Sequence, residues 1–294
     1  MNSHGHGTGQ GTGGGHGPSG KVKKPKEEVR ITTITDRRWD SAPACYVGID
    51  DTDNLESRGT GFRARQLAQE LQVAGLARLR GVTRHQLFVS PEIPYTSHNS
   101  SACLELNVFA ADLPAVQAHC RAYLLRESAP GSDAGLCIAP AAQVTPAVQV
   151  FGQRAKVEVL TQADAHAVAD GHGLYLEGLT GTRQGVIGAL SAVGLHATRN
   201  DGRFLWMRGV RDLAPGRYAL RELRALTDID AFVTIAGAEV DAEIDDIRIT
   251  EWARPVYTGG RAVLFLEEDE DEQTGRGHPG RAWRVAAKEF IKRF

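Results

Sequence analysis

A chain of 294 residues with 41% hydrophobic and 24% charged residues is long enough for one large domain or two ordinary ones, each with an ample core. Its 34 basic and 36 acidic side chains leave a net charge of -2, which excludes a global positive field that would draw the protein onto nucleic acid or membranes. No apolar run approaches the roughly 20 residues of a membrane span. The four cysteines are scattered and no signal peptide is recognised, so we expect reduced core cysteines in a cytoplasmic protein.

The first predicted core element follows a low-complexity segment. Residues 1–28 consist mainly of Gly, His, Ser, Thr, Lys and Glu, so they have almost nothing to bury and we expect a disordered tail. The apolar run at residues 45–49 then predicts a short strand buried on both faces, which is typical of the interior of a parallel sheet. This strand ends in three carboxylates within four residues, at Asp50, Asp51 and Asp53.

The three aspartates favour a metal site. Like charges this close repel one another and a divalent cation neutralises them, so the sequence predicts Mg²⁺ with all three as ligands and with Asp51 and Asp53 as catalytic carboxylates. A helix is expected next, with Thr60 as its N-cap, which adds an anion-binding N-terminus. Asp53 and its neighbour at position 54 are also residue types that shape turns without any ligand. The residues expected to bind cofactor phosphates here are Thr52, Asn54, Gly59 and Gly61.

A long polar loop at residues 91–100 lies between two predicted strands. It is longer than a hairpin needs and is rich in side-chain donors, which is typical of functional loops. Its candidate substrate-binding residues are Tyr95, His98 and Asn99, and the role of His98 is open between a ligand contact, a general base and a bystander. The strands around this loop and the helix after them fit a small ferredoxin-like α+β unit over residues 83–154.

A second glycine-rich passage spans residues 171–190 and is predicted to form a strand, a tight loop and a helix. Its spacing matches neither the Walker A nor the Gly-x-Gly-x-x-Gly dinucleotide pattern. The passage could nevertheless bind phosphate by the same interactions as those two patterns. Its glycines let backbone amides approach an anion, and Arg183 can reach a phosphate. Gly181, Thr182 and Gly185 are therefore candidates for nucleotide binding, and Arg183 is a catalytic candidate. Close packing of a helix on a sheet explains the glycines equally well.

The C-terminal part predicts a charged segment and then a helix. Residues 267–280 contain an unbroken acidic run and are expected to form a solvated linker. Residues 281–294 place Trp283, Phe290 and Phe294 on one helical face and basic residues nearer the other, which predicts an amphipathic helix. Docking on the domain is the favoured role of this helix, with contact to RNA phosphates as the alternative.

Together and in this order, these motifs resemble the archaeal tRNA-isoleucine agmatinylcytidine synthetase family, also called agmatidine synthase. The family's opening Gly-Ile-Asp-Asp-Thr-Asp is similar to residues 48–53 without a gap, and its Pro-Tyr loop is similar to residues 93–95 with Asn99 further on. Its Gly-x-x-x-Gly-x-Ile-Gly-Ala-Leu segment is similar to residues 181–190. The resemblance covers residues 44–265 and implies an α/β (α+β) protein, with a kinase-like α/β domain and an inserted or adjoining ferredoxin-like domain.

The resemblance also implies an activity. The family uses ATP to phosphorylate the C2 carbonyl oxygen of a cytidine, and the amine agmatine then displaces the phosphate. In this chain the kinase-like domain would comprise residues 44–82 and 155–266. Its aspartates would hold Mg²⁺ on the ATP phosphates, while Gly181, Arg183 and Gly185 would help cradle the nucleotide. Such a site suits phosphoryl transfer, because that reaction needs positioning and charge neutralisation more than covalent catalysis.

The chain departs from the family pattern in three ways. Family members continue into an OB-fold and a zinc ribbon that grip tRNA, and we expect neither here. The loop after Tyr95 reads Thr-Ser-His-Asn-Ser where the family carries lysine, arginine and glycine. The near-neutral total charge disfavours tRNA binding through phosphate contacts. The expected partners are therefore ATP and an acceptor that is a nucleoside, tRNA or small molecule, with an amine co-substrate; no membrane partner is expected, and a homodimer is left open.

The leading hypothesis is thus an ATP- and Mg²⁺-dependent enzyme of the agmatidine synthase type, acting in tRNA modification or on a smaller acceptor. Two alternatives stay open. The Asp-Thr-Asp at residues 51–53 resembles the signature of haloacid-dehalogenase-like phosphatases, in which the first aspartate, here Asp51, becomes phosphorylated. The other alternative is a non-catalytic sensor that binds a metabolite and carries a degenerate ATP site.

Overall fold

The computed structural model of this protein describes residues 28–93, 98–251, 253–269 and 280–294. Nearly all of the predicted disordered tail, most of the predicted acidic linker and the candidate substrate residue Tyr95 lie outside these described residues. Among the described residues, no helix is long and apolar enough to cross a membrane.

Twelve strands and seven α-helices form the described part of the chain. The strands are β1 (Ala44–Asp50), β2 (Arg78–Gln86), β3 (Ser100–Asn107), β4 (Gly135–Pro140), β5 (Tyr175–Gly178), β6 (Arg203–Met207), β7 (Gly216–Ala219), β8 (Ala231–Thr234), β9 (Asp246–Ile249), β10 (Val256–Thr258), β11 (Arg261–Glu268) and β12 (Ala282–Val285). The helices are α1 (Thr60–Val73), α2 (Leu113–Glu127), α3 (Pro146–Arg154), α4 (Gln162–Gly171), α5 (Val186–Ala197), α6 (Leu220–Leu226) and α7 (Lys288–Ile291). Short 3₁₀ helices lie at Arg37–Ser41, Ala110–Asp112 and Ala141–Gln143.

The strands form one mostly antiparallel sheet in the order β5-β4-β1-β3-β2-β6-β10-β11-β12-β9-β7, and β8 pairs with β11 beside this path. Among the described strands, parallel pairing occurs between β8 and β11 and between β9 and β12. The protein therefore has the α+β fold that the sequence predicted. β3 and β4, from the range predicted to form a separate ferredoxin-like unit, flank β1 on its two sides; the predicted domain division stays a prediction.

The prediction that β1 lies in a parallel sheet was wrong, because both of its neighbours, β3 and β4, are antiparallel to it. Its apolar run has a different cause. Cys45, Val47 and Ile49 pack against α1 and α2 on one face, while Gly48 lies directly against the backbone of α5 on the other. A strand is buried on both faces when helices cover both faces of its sheet. Such burial therefore does not indicate whether the neighbouring strands are parallel or antiparallel.

The prediction of one amphipathic helix over residues 281–294 was also wrong, since β12 and the four-residue helix α7 occupy this range. β12 pairs with β11 and β9, and the buried indole of Trp283 donates a hydrogen bond to Asp245 Oδ2 at 2.8 Å. Phe290 and Phe294 pack their rings against Phe265 of β11. Strand pairing with distant parts of the chain thus overrides the local helical spacing.

The start of the predicted acidic linker belongs to the folded core. β11 extends through the first two glutamates of the acidic run, and Asp269 after it is fully buried. Arg217 and Arg248 each donate a hydrogen bond to the Asp269 carboxylate, at 3.0 and 2.7 Å. The two guanidinium groups compensate the buried charge, which a prediction from the charge run alone did not anticipate.

Candidate functional site

Aspartates at the end of β1 and in the turn after it line two cavities. Asp50 and Asp51 line the first, of about 100 Å³, which we call the acidic cavity. Gln184, Gly185, Ile187 and Gly188 at the start of α5, together with Asn99, also line it. Asp53 lines the second, of about 340 Å³, which we call the arginine cavity. Its other lining residues include Gly59, Gly61, Arg65, Arg84, His98 and Arg211.

The two carboxyl groups of the acidic cavity are held in an unfavourable electrostatic position. Burial raises the pKa of Asp50 to about 8, with further increases from the charges of Asp51 and Asp53. Burial raises the pKa of Asp51 to about 6, and the charge of Asp133 contributes as well. Asp51 also has φ of 48°, a left-handed conformation that is uncommon for residues other than glycine. A cation in this cavity would relieve the repulsion.

Asp53 has a different structural role from its two neighbours. Its Oδ1 accepts hydrogen bonds from the backbone N–H of Thr60 at 3.2 Å and from the Thr60 hydroxyl at 2.8 Å. Helix α1 begins at Thr60, and its N-cap residue is Gly59. The prediction that Thr60 is the N-cap was therefore wrong by one residue. The turn-shaping role left open for Asp53 from the sequence is thus observed.

The predicted set of three metal ligands is not assembled around one point. Within the described ranges, no group of three or more His, Cys, Asp or Glu side chains is arranged to hold a metal ion. Asp50 and Asp51 share the acidic cavity, whereas Asp53 lines the arginine cavity. Two carboxylates still fit Mg²⁺, because this ion is commonly bound by one or two protein carboxylates together with phosphate oxygens and water. Metal binding here stays a prediction.

The second glycine passage lies beside these aspartates. A Cβ on Gly188 would overlap Asp50 Oδ2, and a Cβ on Gly181, whose φ is 51°, would overlap Asp133 Oδ1. Gly185 lines the acidic cavity together with Asp50 and Asp51. Close packing therefore accounts for the two glycines at 181 and 188, as the packing alternative proposed. The same packing brings the start of α5 to the aspartates.

Asp133 is a site residue that sequence reasoning missed. Its Oδ1 and Oδ2 accept hydrogen bonds from the backbone N–H and the hydroxyl of Thr182, at 2.6 and 2.5 Å. Its carbonyl oxygen accepts a hydrogen bond from the Gly185 N–H at 2.9 Å. Asp133 therefore holds the glycine-rich loop in place and adds negative charge near Asp51. Thr182 and Gly185 point these N–H groups at Asp133.

Thr52 and Asn54, both predicted to bind cofactor, make structural contacts. The buried hydroxyl of Thr52 lies 3.1 Å from Thr60 Oγ1. The side-chain oxygen of Asn54 accepts hydrogen bonds from the backbone N–H groups of Glu56 and Ser57, both at 3.0 Å. These contacts shape the turn between β1 and α1, and ligand binding by either residue stays a prediction.

The remaining predicted residues are divided between the two cavities and the surface. Asn99 lines the acidic cavity and donates a hydrogen bond from Nδ2 to the Phe88 carbonyl at 2.6 Å. His98 lines the arginine cavity. Arg183 is exposed, with φ of 67°, and lines neither of these two cavities. The neighbouring residues His98 and Asn99 therefore line different cavities.

The arginines of the second cavity were also missed. Arg65, Arg84 and Arg211 come from α1, β2 and the segment after β6. One local signal was available, since cations near the N-terminus of a helix oppose its dipole, and Arg63 and Arg65 lie in the first two turns of α1.

Comparison with known proteins gives no family assignment. No family model matches the sequence, and no curated protein matches it. Similar solved structures include a complex of the tRNA agmatidine synthetase TiaS with an isoleucine tRNA and ATP, at 22% identity and a TM-score of 0.46 over 52% of this chain. A complex of that enzyme with the tRNA, AMPCPP and agmatine has 21% identity and a TM-score of 0.45 over 52% of this chain. A tRNA fluorescent labeling enzyme has 23% identity and a TM-score of 0.46 over 51% of this chain. This chain covers 36% of each of these three.

Proposed function

We propose that this protein is an ATP- and Mg²⁺-dependent enzyme that transfers a phosphoryl group to an oxygen atom of an acceptor, which activates that oxygen for displacement by an amine. The observation that carries the proposal is the acidic cavity. There, Asp50 and Asp51 at the end of β1 meet the start of α5 at Gly185. Carboxylates for a cation beside a helix N-terminus for an anion are what a metal–phosphate complex requires.

The roles proposed for the aspartates follow from their surroundings. Asp50 and Asp51 would hold Mg²⁺, because their raised pKa values reflect burial and mutual repulsion that a bound cation offsets. Bound Mg²⁺ would supply charge neutralisation of the triphosphate. Asp53 would act as a positioning residue, since it ties the first turn of α1 to the end of β1.

The roles proposed for the other polar residues concern the phosphates and the acceptor. Arg183 would reach a phosphate from the loop that Asp133 holds. Asn99 on the acidic side and His98 on the arginine side would contact the acceptor. The acceptors to be tried are tRNA, nucleosides and smaller metabolites, with agmatine and other polyamines as the amine.

The test measures release or transfer of the labelled γ-phosphate of ATP with Mg²⁺, with each acceptor and amine added alone and together. Asp51→Asn should lower turnover about a hundredfold or more, because it removes one charge from the proposed metal site. Glu158→Gln is the matched control, since Glu158 lines the same cavity but pairs with Arg154 at 2.7 Å, and its turnover should change little. Equal turnover in the wild type and Asp51→Asn would refute the proposed site. Phosphate retained on Asp51 would favour the phosphatase alternative.

A further inference from the structure

The arginine cavity contains a buried cation without a direct ion pair. Arg65 is only 9% exposed, and its Nε has no hydrogen-bond partner. It forms no ion pair with any carboxylate of the described chain. Burial, and then the charge of Arg211, lower the pKa of Arg65 to about 10, while the charge of Glu28 acts in the opposite direction. A buried charge without a direct ion pair is unfavourable, so a bound anion would stabilise this cavity.

The charge lining this cavity is mostly positive. Arg84 and Arg211 join Arg65 in the lining, against the carboxylate of Asp53, which already accepts two hydrogen bonds from Thr60. Arg211 also forms an ion pair with Glu28 at 2.7 Å, so Arg65 and Arg84 carry the excess positive charge. Burial, together with the charge of Arg203, lowers the pKa of Arg84 to about 10. The N-terminus of the 14-residue helix α1 opens into the cavity through Gly59, Thr60 and Gly61 and adds positive potential.

We propose that the arginine cavity is a binding site for a phosphate group, held by Arg65, Arg84 and Arg211 with the N-terminus of α1. Three guanidinium groups suit a tetrahedral dianion with several acceptor oxygens better than a planar carboxylate with two. The identity of the molecule that carries the phosphate rests on the proposed function, under which it belongs to ATP or to the acceptor. The site itself does not depend on that function.

The test measures the thermal unfolding midpoint of the full chain in inorganic phosphate and in chloride at equal ionic strength, without nucleotide or Mg²⁺. Phosphate should raise the midpoint of the wild type, because it binds the folded state. Arg84→Gln should weaken phosphate binding by about tenfold or more. Arg80→Gln is the matched control, since it removes the same charge from an exposed position on the same strand and should leave phosphate binding unchanged.

The substitution Arg65→Met gives a second test, because a phosphate site and a purely structural arginine predict opposite changes of the unfolding midpoint in chloride. It removes the buried charge but keeps an apolar stem, so the midpoint in chloride should be equal to or higher than that of the wild type, and the phosphate effect should be lost. A purely structural arginine would give a lower midpoint in chloride. The inference is overturned if phosphate does not stabilise the wild type beyond chloride, or if Arg80→Gln and Arg84→Gln lose the effect equally.

The source of the phosphate is identified in the same assay. If a saturating non-hydrolysable ATP analogue with Mg²⁺ abolishes the effect of inorganic phosphate, the site takes a phosphate of ATP; if the effect persists, it takes a phosphate of the acceptor. Either result supports the site. Asp51→Asn keeps the phosphate effect under this proposal, whatever happens to turnover, so failure of the proposed function is distinguishable from failure of the phosphate site.

Discussion

Asp53 Oδ1 accepts two hydrogen bonds from Thr60, one from its backbone N–H at 3.2 Å and one from its hydroxyl at 2.8 Å. This pair fixes the first turn of α1 to the end of β1. Asp50 and Asp51 before this pair line the acidic cavity, while Asp53 and Thr60 themselves line the arginine cavity. Carboxylates that suit a cation and arginines that suit an anion therefore line two cavities that share this turn.

The contact between Asp53 and Thr60 predicts a measurable contribution to stability. Asp53→Ala removes the acceptor for two donors at the start of α1 and should lower the free energy of unfolding by about 1 kcal/mol. Glu56→Ala, an exposed carboxylate in the same turn, is the control and should have little effect. Urea unfolding at neutral pH measures both. Equal effects of the two substitutions would contradict the capping role.

The absence of a side chain at Gly188 allows α5 to lie close to Asp50. A Cβ at this position overlaps Asp50 Oδ2, so Gly188→Ala should lower the free energy of unfolding by about 1–3 kcal/mol through overpacking. Gly171→Ala is the control, since a Cβ at the end of α4 meets nothing within 4 Å. Denaturant unfolding of both variants tests the contact. A Gly188→Ala protein as stable as the wild type would mean that α5 lies farther from β1.

The raised pKa of the buried Asp50 carboxyl group should give the free energy of unfolding an unusual pH dependence. This carboxyl group keeps its proton up to about pH 8 in the folded protein but loses it near about pH 4 when unfolded. The folded state therefore binds more protons between these values, and the free energy of unfolding should fall as the pH rises through this window. Asp50→Asn should remove about half or more of this slope. The measurement is unfolding at a series of pH values, and an unchanged slope in Asp50→Asn would contradict the burial.

A buried hydrogen-bond network joins Thr83 of β2 to two histidines and two carboxylates. Thr83 Oγ1 lies 2.8 Å from both His85 Nε2 and His196 Nδ1, while His85 Nδ1 faces Asp201 at 2.9 Å and His196 Nε2 faces Glu105 at 3.2 Å. Burial acts to raise the pKa of both carboxyl groups, but the histidine contacts together with nearby cationic side chains outweigh it and leave both pKa values lowered. The Thr83 hydroxyl is the hydrogen-bond partner of one ring nitrogen of each histidine.

This network predicts the effects of two substitutions at Thr83. Thr83→Val keeps the shape of the side chain but leaves buried ring nitrogens without a partner, and it should lower the free energy of unfolding by about 1–3 kcal/mol. Thr83→Ser keeps the hydroxyl and loses only a methyl group, so it should cost about 0.8 kcal/mol. Urea unfolding at neutral pH compares them. A valine variant no less stable than the serine variant would contradict the network.

The sequence predicted the elements with strong local signals. The strand that ends at Asp50, the helix that starts beside Gly59 and the strand–loop–helix of the second glycine passage all exist. The approach of that passage to the aspartates could be anticipated, because small residues such as Gly188 permit it. These features depend on residues that are close in sequence.

The missed residues depend on pairing between distant segments. Asp133 reaches the site because the start of β4 lies antiparallel beside the end of β1, where Gly135 pairs with Asp50. Arg65, Arg84 and Arg211 share a cavity although more than a hundred residues separate the last from the others. No local pattern encodes such register, and the same reason explains why the C-terminal segment is a strand.

The most direct test of the central claim is a calorimetric titration of the full chain with ATP in the presence of Mg²⁺. The account predicts saturable binding by the wild type that requires Mg²⁺, that Glu158→Gln retains and that Asp51→Asn loses. Absence of binding by the wild type, or equal Mg²⁺-dependent binding by Asp51→Asn, would contradict it.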